Sequence, residues 1–333
     1  MKIEVYGMEN PLIDILTEVS DEDIINLKAE KGIMQLIDLP RRQEILSYIR
    51  GRKITYNCVG SGPNTVIALA GFGIKAALAG KVGYDEYGDI YVKQLSEFPV
   101  QNDIIREEGA TGSSIILITP DCERTMNTYL GVNRNFGPKD INERNISSSE
   151  FFYTTGYMWD TEQQKAAVAV ALEIAEKHGV QVAFDVADPF AVRRYKDDFL
   201  RLLKNHVSIA FANAEEAGIL FDTGDVHESL AALGGVVEIA VVKNGKNGSY
   251  VRSGEEEYFI PARPVRATDS TGAGDMYAAG FLYGICKGFS PRDAGICASY
   301  FASEIVQQLG AQFSPGRKAE IEETLITCGW KYI

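Results

Sequence analysis

The sequence predicts an α/β layered fold with a mostly parallel central sheet, on three observations. Short apolar or β-branched runs of strand length alternate with longer helical stretches through most of the chain. Those runs are apolar at nearly every position, as strands are when helices cover both faces of their sheet. Finally, the 333 residues contain no Pro/Ser-rich linker, repeat or low-complexity tract, so they read as one domain, 1–333, with an excursion rather than two domains in series.

Taken in order, 3–6, 76–82, 114–118, 180–186, 207–212 and 237–242 read as strands. The stretch 161–178 is rich in Ala and Leu with charges gathered at its ends, and Gly179 supplies a stop, so it reads as a helix. Residues 222–233, 272–287 and 292–309 read the same way, and 65–70 is a helix that Asn64 is suited to cap. Two stretches, roughly 12–57 and 101–136, break the alternation. They carry charge, isolated β-rich runs and turn residues such as Thr111-Gly112 and Thr119-Pro120-Asp121, and are expected to form a small β lid inserted into the main domain. Bare lid edges invite strand pairing, so monomer and homodimer both stay open.

Hydrophobic residues at 45% and charged residues at 24% are globular proportions, and a chain of this length buries a large core without disulfides or metals. Lys+Arg at 33 against Asp+Glu at 46 leaves a net charge of −13, which repels nucleic-acid backbones and anionic lipid. The cysteines, Cys58, Cys122, Cys286, Cys297 and Cys328, are odd in number and lack a Cys-x-x-Cys pair, indicating neither a disulfide framework nor a zinc ribbon. The first residues are too charged for a signal peptide and no run of about 18 apolar residues occurs, so a cytoplasmic location is expected.

The segment Asp269-Ser270-Thr271-Gly272-Ala273-Gly274-Asp275 carries the most chemistry, because a helical pattern begins immediately after it. Small residues let a ligand approach the backbone, and the first N–H groups of a helix bind anions. Asp275 falls in the first turn, where the helix dipole favours its ionised form. Amides that hold a transferring phosphoryl group beside a carboxylate that takes a proton from an attacking hydroxyl suit a kinase. On the residues alone, an ordinary Gly-rich cap followed by an acidic turn fits as well.

That segment, with Met276-Tyr277-Ala278-Ala279-Gly280 after it, closely resembles the C-terminal motif of the ribokinase (PfkB) family of sugar and nucleoside kinases. Further segments match in order: Asn10-Pro11-Leu12-Ile13-Asp14, Gly60-Ser61-Gly62-Pro63-Asn64, Gly83-Tyr84-Asp85-Glu86-Tyr87-Gly88 and Asn213-Ala214-Glu215-Glu216. The resemblance implies a ribokinase-like three-layer α/β/α fold with a discontinuous β lid, and transfer of the ATP γ-phosphate to a primary hydroxyl. Asp275 would be the general base and the N–H groups of Gly272, Ala273 and Gly274 the anion hole, with Arg124 of the lid as a partner for phosphate or substrate. Asn10, Asp14, Gly60, Gly62 and Asn64 would bind the acceptor. Phe136 and Tyr129, by their place near the lid rather than by the resemblance, are candidates to cover a base or sugar. Asn213 and Glu216 would organise Mg²⁺ through water, although Asn with Glu three residues later is also the spacing of a capping box. Lys243, Gly245, Gly248 and Thr271 would lie beside the nucleotide, a plain hairpin loop being the alternative for the two glycines. A K⁺ site near Asp269 is implied as well.

Asn10–Asp14, Glu123-Arg124-Thr125-Met126 and Asp188-Pro189-Phe190 are most similar to the adenosine-kinase branch, which leaves a nucleoside and a ribose- or fructose-type sugar both open as acceptor. A non-catalytic ligand-binding regulator on the same fold is the alternative of another class. Three residues depart from the family pattern: Val59 and Glu9, where glycine is usual, and Lys243, where threonine is common. Gly71-Phe72-Gly73-Ile74-Lys75-Ala76 follows a helical stretch and precedes a strand, the wrong order for a dinucleotide fingerprint, so it reads as a helix stop and turn. Gly80-Lys81-Val82 is no P-loop, and His178, His206 and His227 show no ligand spacing.

Overall fold

A computed structural model describes residues 2–327, so Cys328 lies outside the described residues; the other four cysteines are free thiols. The strands run in chain order β1 (Ile3–Met8), β2 (Leu12–Glu18), β3 (Met34–Leu36), β4 (Thr55–Val59), β5 (Ala76–Gly83), β6 (Gln101–Glu107), β7 (Ser113–Ile118), β8 (Arg124–Tyr129), β9 (Ser149–Thr155), β10 (Gln181–Asp185), β11 (Ile209–Asn213), β12 (Ile239–Lys243), β13 (Ser249–Ser253) and β14 (Glu256–Ile260). Nine of them form the central sheet in the order β14-β13-β12-β11-β10-β9-β1-β5-β6. It is parallel except at one edge, where β12, β13 and β14 pair antiparallel.

Neighbouring residues on the central strands enter opposite cores. Val5, Ile209 and Val241 join the helices Ser61–Gly71, Ala273–Cys286 and Pro291–Ile305 on one face. Tyr6, Ala210 and Val242 join Glu162–His178, Pro189–His206 and Val226–Gly234 on the other. This double burial is the reason the central runs are apolar at nearly every position, and it makes the body three layers. No described helix is long and apolar enough to cross a membrane.

The second sheet, β3-β8-β7-β2-β4, is assembled from two separate stretches of chain and covers the carboxyl ends of the central strands. Its make-up corrects the expected lid boundary. Gln101–Glu107 pairs in parallel with β5, from Ala77↔Gln101 to Gly83↔Glu107, and so is the edge of the central sheet. Solvent on the open side of this edge strand accounts for the polar composition that made it look lid-like. Helix limits change too. The expected helix 222–233 starts later, as Val226–Gly234 capped by Asp225, because Asp222 takes a left-handed conformation (φ 54°) that ends a preceding helix, Ala214–Phe221. The expected 292–309 ends as Pro291–Ile305. Gly179 (φ 66°) ends Glu162–His178, and the turn after Ser61–Gly71 passes through Gly73 (φ 83°), both as expected.

Candidate active site

The parallel strands bring a row of polar side chains to one end of the sheet: Glu9 just past β1, Thr155 on β9, Asp185 on β10, Asn213 on β11 and Lys243 on β12. Asp185 lies beside Thr155, and Asn213 beside Lys243, in the strand register. Ligands of open α/β sheets bind beyond such carboxyl ends. Here that region is a cavity of about 1160 Å³, floored by the row and roofed by the second sheet.

Asp275 stands at the cavity floor in the first turn of helix Ala273–Cys286. Ser61 Oγ donates to its Oδ1 at 2.6 Å, and Asn64 Nδ2 to its Oδ2 at 2.9 Å. Thr65 Oγ1 donates to the Asp275 carbonyl at 3.1 Å, which pins the two helix starts together. Burial raises the Asp275 pKa to about 6; the Ser61 and Asn64 bonds work against that rise, Asp185 adds to it and Lys243 opposes it. The helix begins at Gly272, left-handed at φ 78°, where a Cβ would also meet Ala311 at 2.7 Å, so only glycine fits. No side chain caps this helix. Its Gly274 and Asp275 N–H groups therefore point outward without an intrahelical acceptor. The Ala273 N–H, expected in the anion hole, is turned back to the Ser270 carbonyl at 3.2 Å.

Asn64 is not the helix cap the sequence allowed. The helix starts at Ser61 behind Gly60, and Asn64 sits in the first turn with its amide on Asp275. Asn213 and Glu216 do form the capping box: the Glu216 N–H donates to Asn213 Oδ1 at 2.8 Å, and the Asn213 N–H to Glu216 Oε2 at 2.7 Å. Both still line the cavity. Burial raises Glu216 to a pKa of about 7, with Lys243 pulling down and Asp185 pushing up. Lys243 Nζ donates to Asp185 Oδ2 at 2.8 Å and lies 3.5 Å from where a Cβ on Gly274 would be. Burial disfavours its charge, but Asp185 and Glu216 outweigh that and raise its pKa. Gly245 and Gly248 belong to the β12–β13 hairpin loop, at the cavity wall.

Arg124, on β8 of the cover, reaches the body. Its Nη1 donates to Asp269 Oδ2 at 2.6 Å and to Thr271 Oγ1 at 3.0 Å. Asp269 also accepts from Thr271 Oγ1 at 2.6 Å and from the Gly310 N–H at 3.0 Å; these bonds and Arg124 overcome burial and lower its pKa. With both oxygens engaged and its charge matched by a guanidinium, the Asp269 side chain does not fit the implied K⁺ role. Asp14, on β2, faces the same cavity without a hydrogen-bond partner, and burial raises its pKa to about 7 against the pull of Arg124. Asn10 lines the wall, its amide donating to the Tyr157 carbonyl at 3.0 Å and its Oδ1 accepting from Gln164 at 2.8 Å.

Two expected residues are elsewhere. Phe136 is 1% exposed in the core on one face of the central sheet, because the 3-10 turn Gly131–Asn135 carries the chain back from the cover before it. Tyr129 instead stacks under Arg42, 5.5 Å from its centroid. The roof is aliphatic at Leu12, Met34, Leu36, Ile116 and Met126, and polar at Asp14, Ser114, Arg124 and Thr128. Sequence reasoning missed Ser61, Thr65 and Asp185. An acidic residue closing an apolar strand was a readable signal for Asp185; for Ser61 the signal was its place between two loop glycines.

Residues 32–317 match the pfkB family carbohydrate kinase model. The chain belongs to this family. This PfkB kinase is therefore a phosphotransferase acting on a sugar or nucleoside hydroxyl, and membership implies use of ATP. It is 33% identical to a probable sugar kinase of Rhizobium etli CFN 42, covering 99% of this chain and 100% of that one, with a TM-score of 0.89. An adenosine kinase of Sinorhizobium meliloti is 32% identical, covering 97% and 100%, with a TM-score of 0.87. Among curated sequences, an ATP-dependent ribose-1-phosphate kinase of Halopiger xanaduensis is 32% identical over 67% of this chain and 71% of its own.

Proposed function

We propose that the kinase transfers the γ-phosphate of ATP to a primary hydroxyl of a nucleoside, with Asp275 as general base. The single observation that carries this is the Asp275 carboxylate, fixed by Ser61 and Asn64 at the cavity floor beside an uncapped helix start. Asp275 takes the proton as the acceptor oxygen attacks, and the N–H groups at the helix start stabilise charge on the transferring phosphoryl group. Lys243 adds positive charge next to Gly274. Arg124 brings a second cation from the cover, and closure of the cover excludes water, which competes as a phosphoryl acceptor. Glu216 and Asn213 would hold Mg²⁺ through water, where the ion neutralises phosphate charge; among the described residues no group of three or more His, Cys, Asp or Glu side chains is arranged to ligate a metal directly.

An acceptor with one polyhydroxyl face and one apolar face matches the cavity. Asp14 and Asn10 meet hydroxyls, and the aliphatic roof meets a base. A bare pentose or hexose leaves that roof uncovered, so it ranks second. The test is ADP formation from Mg·ATP across adenosine, inosine, guanosine, cytidine, ribose and fructose, with Asp275→Asn in parallel. Turnover of a nucleoside, lost by about 10²–10⁴-fold in the variant with ATP binding kept, supports the reading. Turnover of bare sugars alone moves the substrate, and an active Asp275→Asn removes Asp275 as base.

A further inference from the structure

Glu9 stands at the carboxyl end of β1, at a position where glycine is usual, and is 2% exposed. The Thr155 hydroxyl donates to its Oε2 at 2.9 Å. Its Oε1 has no hydrogen-bond partner among the described residues. A buried oxygen left unpaired is costly, and a carboxyl is the most expensive group to leave so. Glu9 nevertheless forms part of the cavity wall with Asn10, Gly60, Ser61, Asn64 and Asp275.

The surrounding chain is built around this carboxyl. A Cβ at Gly62 would lie 2.0 Å from Glu9 Cδ and 2.5 Å from Oε1, so the helix that carries Ser61 and Asn64 starts directly against it. Glycine is needed at 62 for space alone, because its φ is not in the left-handed region. The same turn thus holds Asp275 through Ser61 and leaves room for Glu9 through Gly62.

We propose that Glu9 binds the acceptor, its Oε1 donating a hydrogen bond to an acceptor oxygen near the hydroxyl that is phosphorylated. The proposal rests on the kinase reading above and narrows the acceptor to a polyhydroxy compound with a hydroxyl or carbonyl oxygen at that point. The direction of donation follows from the surroundings. Burial first, then the charges of Asp275 and Asp185, hold the carboxyl well above the ordinary glutamate range, against the side-chain and backbone hydrogen bonds of Thr155. These surroundings favour the protonated form, and since Oε2 already accepts from Thr155, Oε1 is the oxygen that would carry the proton. Oε1 itself is buried against Gly62, so a bound acceptor supplies the missing partner as the side chain turns toward the cavity.

Three variants test this. Glu9→Gln copies the protonated acid, with an oxygen for Thr155 and an N–H₂ in place of the acid proton. Glu9→Met keeps the bulk and removes the donor. Gly62→Ala keeps Glu9 and crowds its carboxyl out of place. KM for ATP and for each compound of the panel above that the wild type phosphorylates is measured, with melting temperature as a check on folding. Glu9→Met and Gly62→Ala are expected to raise the acceptor KM about tenfold or more, with the ATP KM within about twofold and Glu9→Gln within about threefold of wild type. An unchanged acceptor KM in Glu9→Met, or equal rises for both substrates, overturns the proposal. If Glu9→Met does not fold, an unchanged acceptor KM in Gly62→Ala overturns it instead. A Glu9→Gln variant as impaired as Glu9→Met overturns donation by the protonated acid. A wild type that phosphorylates none of the panel overturns the acceptor reading on which this proposal rests, and the proposal with it.

Discussion

With Asp275 as the proposed base, the Ser61 hydroxyl is expected to set the pH below which turnover is lost. Asp275 must be ionised to accept a proton, and its pKa of about 6 leaves it half active at pH 6. By simple titration the ionised fraction is about nine-tenths at pH 7 and about one-tenth at pH 5. Ser61 holds the ionised form through its 2.6 Å bond to Oδ1. A hydrogen bond to a charged group contributes about 1.5–3 kcal/mol, and one pKa unit corresponds to about 1.4 kcal/mol. Water refilling the space recovers part of that, so Ser61→Ala is expected to move the acid limb of kcat upward by about one pH unit. The assay is kcat against pH from 5 to 8.5 at saturating ATP and acceptor, for wild type and variant. The plateau above pH 8 stays within a few-fold, because the base itself is intact. Coincident acid limbs for the two proteins refute the argument, since Ser61 then does not hold the charge of the group that titrates.

Other expectations follow from the same geometry. Asp14→Ala should raise the acceptor KM about tenfold while leaving the ATP KM nearly unchanged, and equal rises would remove Asp14 from acceptor binding. Arg124→Met, which removes the tie between β8 and Asp269, should lower kcat/KM about tenfold or more without lowering the melting temperature appreciably; steady-state kinetics and calorimetry check both halves. Asp14 and Glu216 have pKa values of about 7 in the folded chain, above the ordinary carboxylate range. Between about pH 4 and 7 the folded chain then holds protons that the unfolded chain releases, so these groups lose stability as pH rises through that window. The ligand-free protein should melt at a lower temperature at pH 8 than at pH 5.5, and Asp14→Asn should flatten part of that slope; calorimetry showing the opposite slope contradicts the pKa directions.

The sequence alone determined the layered α/β class, because strands buried on both faces are apolar at nearly every position, and 76–82, 207–212 and 237–242 are so apart from Lys81, Ser208 and Glu238. It also determined the start of the helix that carries Asp275, since the small, Gly-rich segment 272–274 runs directly into a helical pattern. Tertiary structure decided what depended on neighbours distant in the chain. Gln101–Glu107 is polar enough for a lid, yet its register with β5 makes it a sheet edge. Phe136 reads as a cover for substrate, but the turn before it delivers the ring to the core. Asp275 and Ser61 are 214 residues apart, and no local pattern could show that one hydroxyl would hold the other's charge. Glu9 is the clearest case: in sequence it is an odd residue where glycine is usual, and only packing against Gly62 and Thr155 turns it into a buried acid with one oxygen unpaired among the described residues.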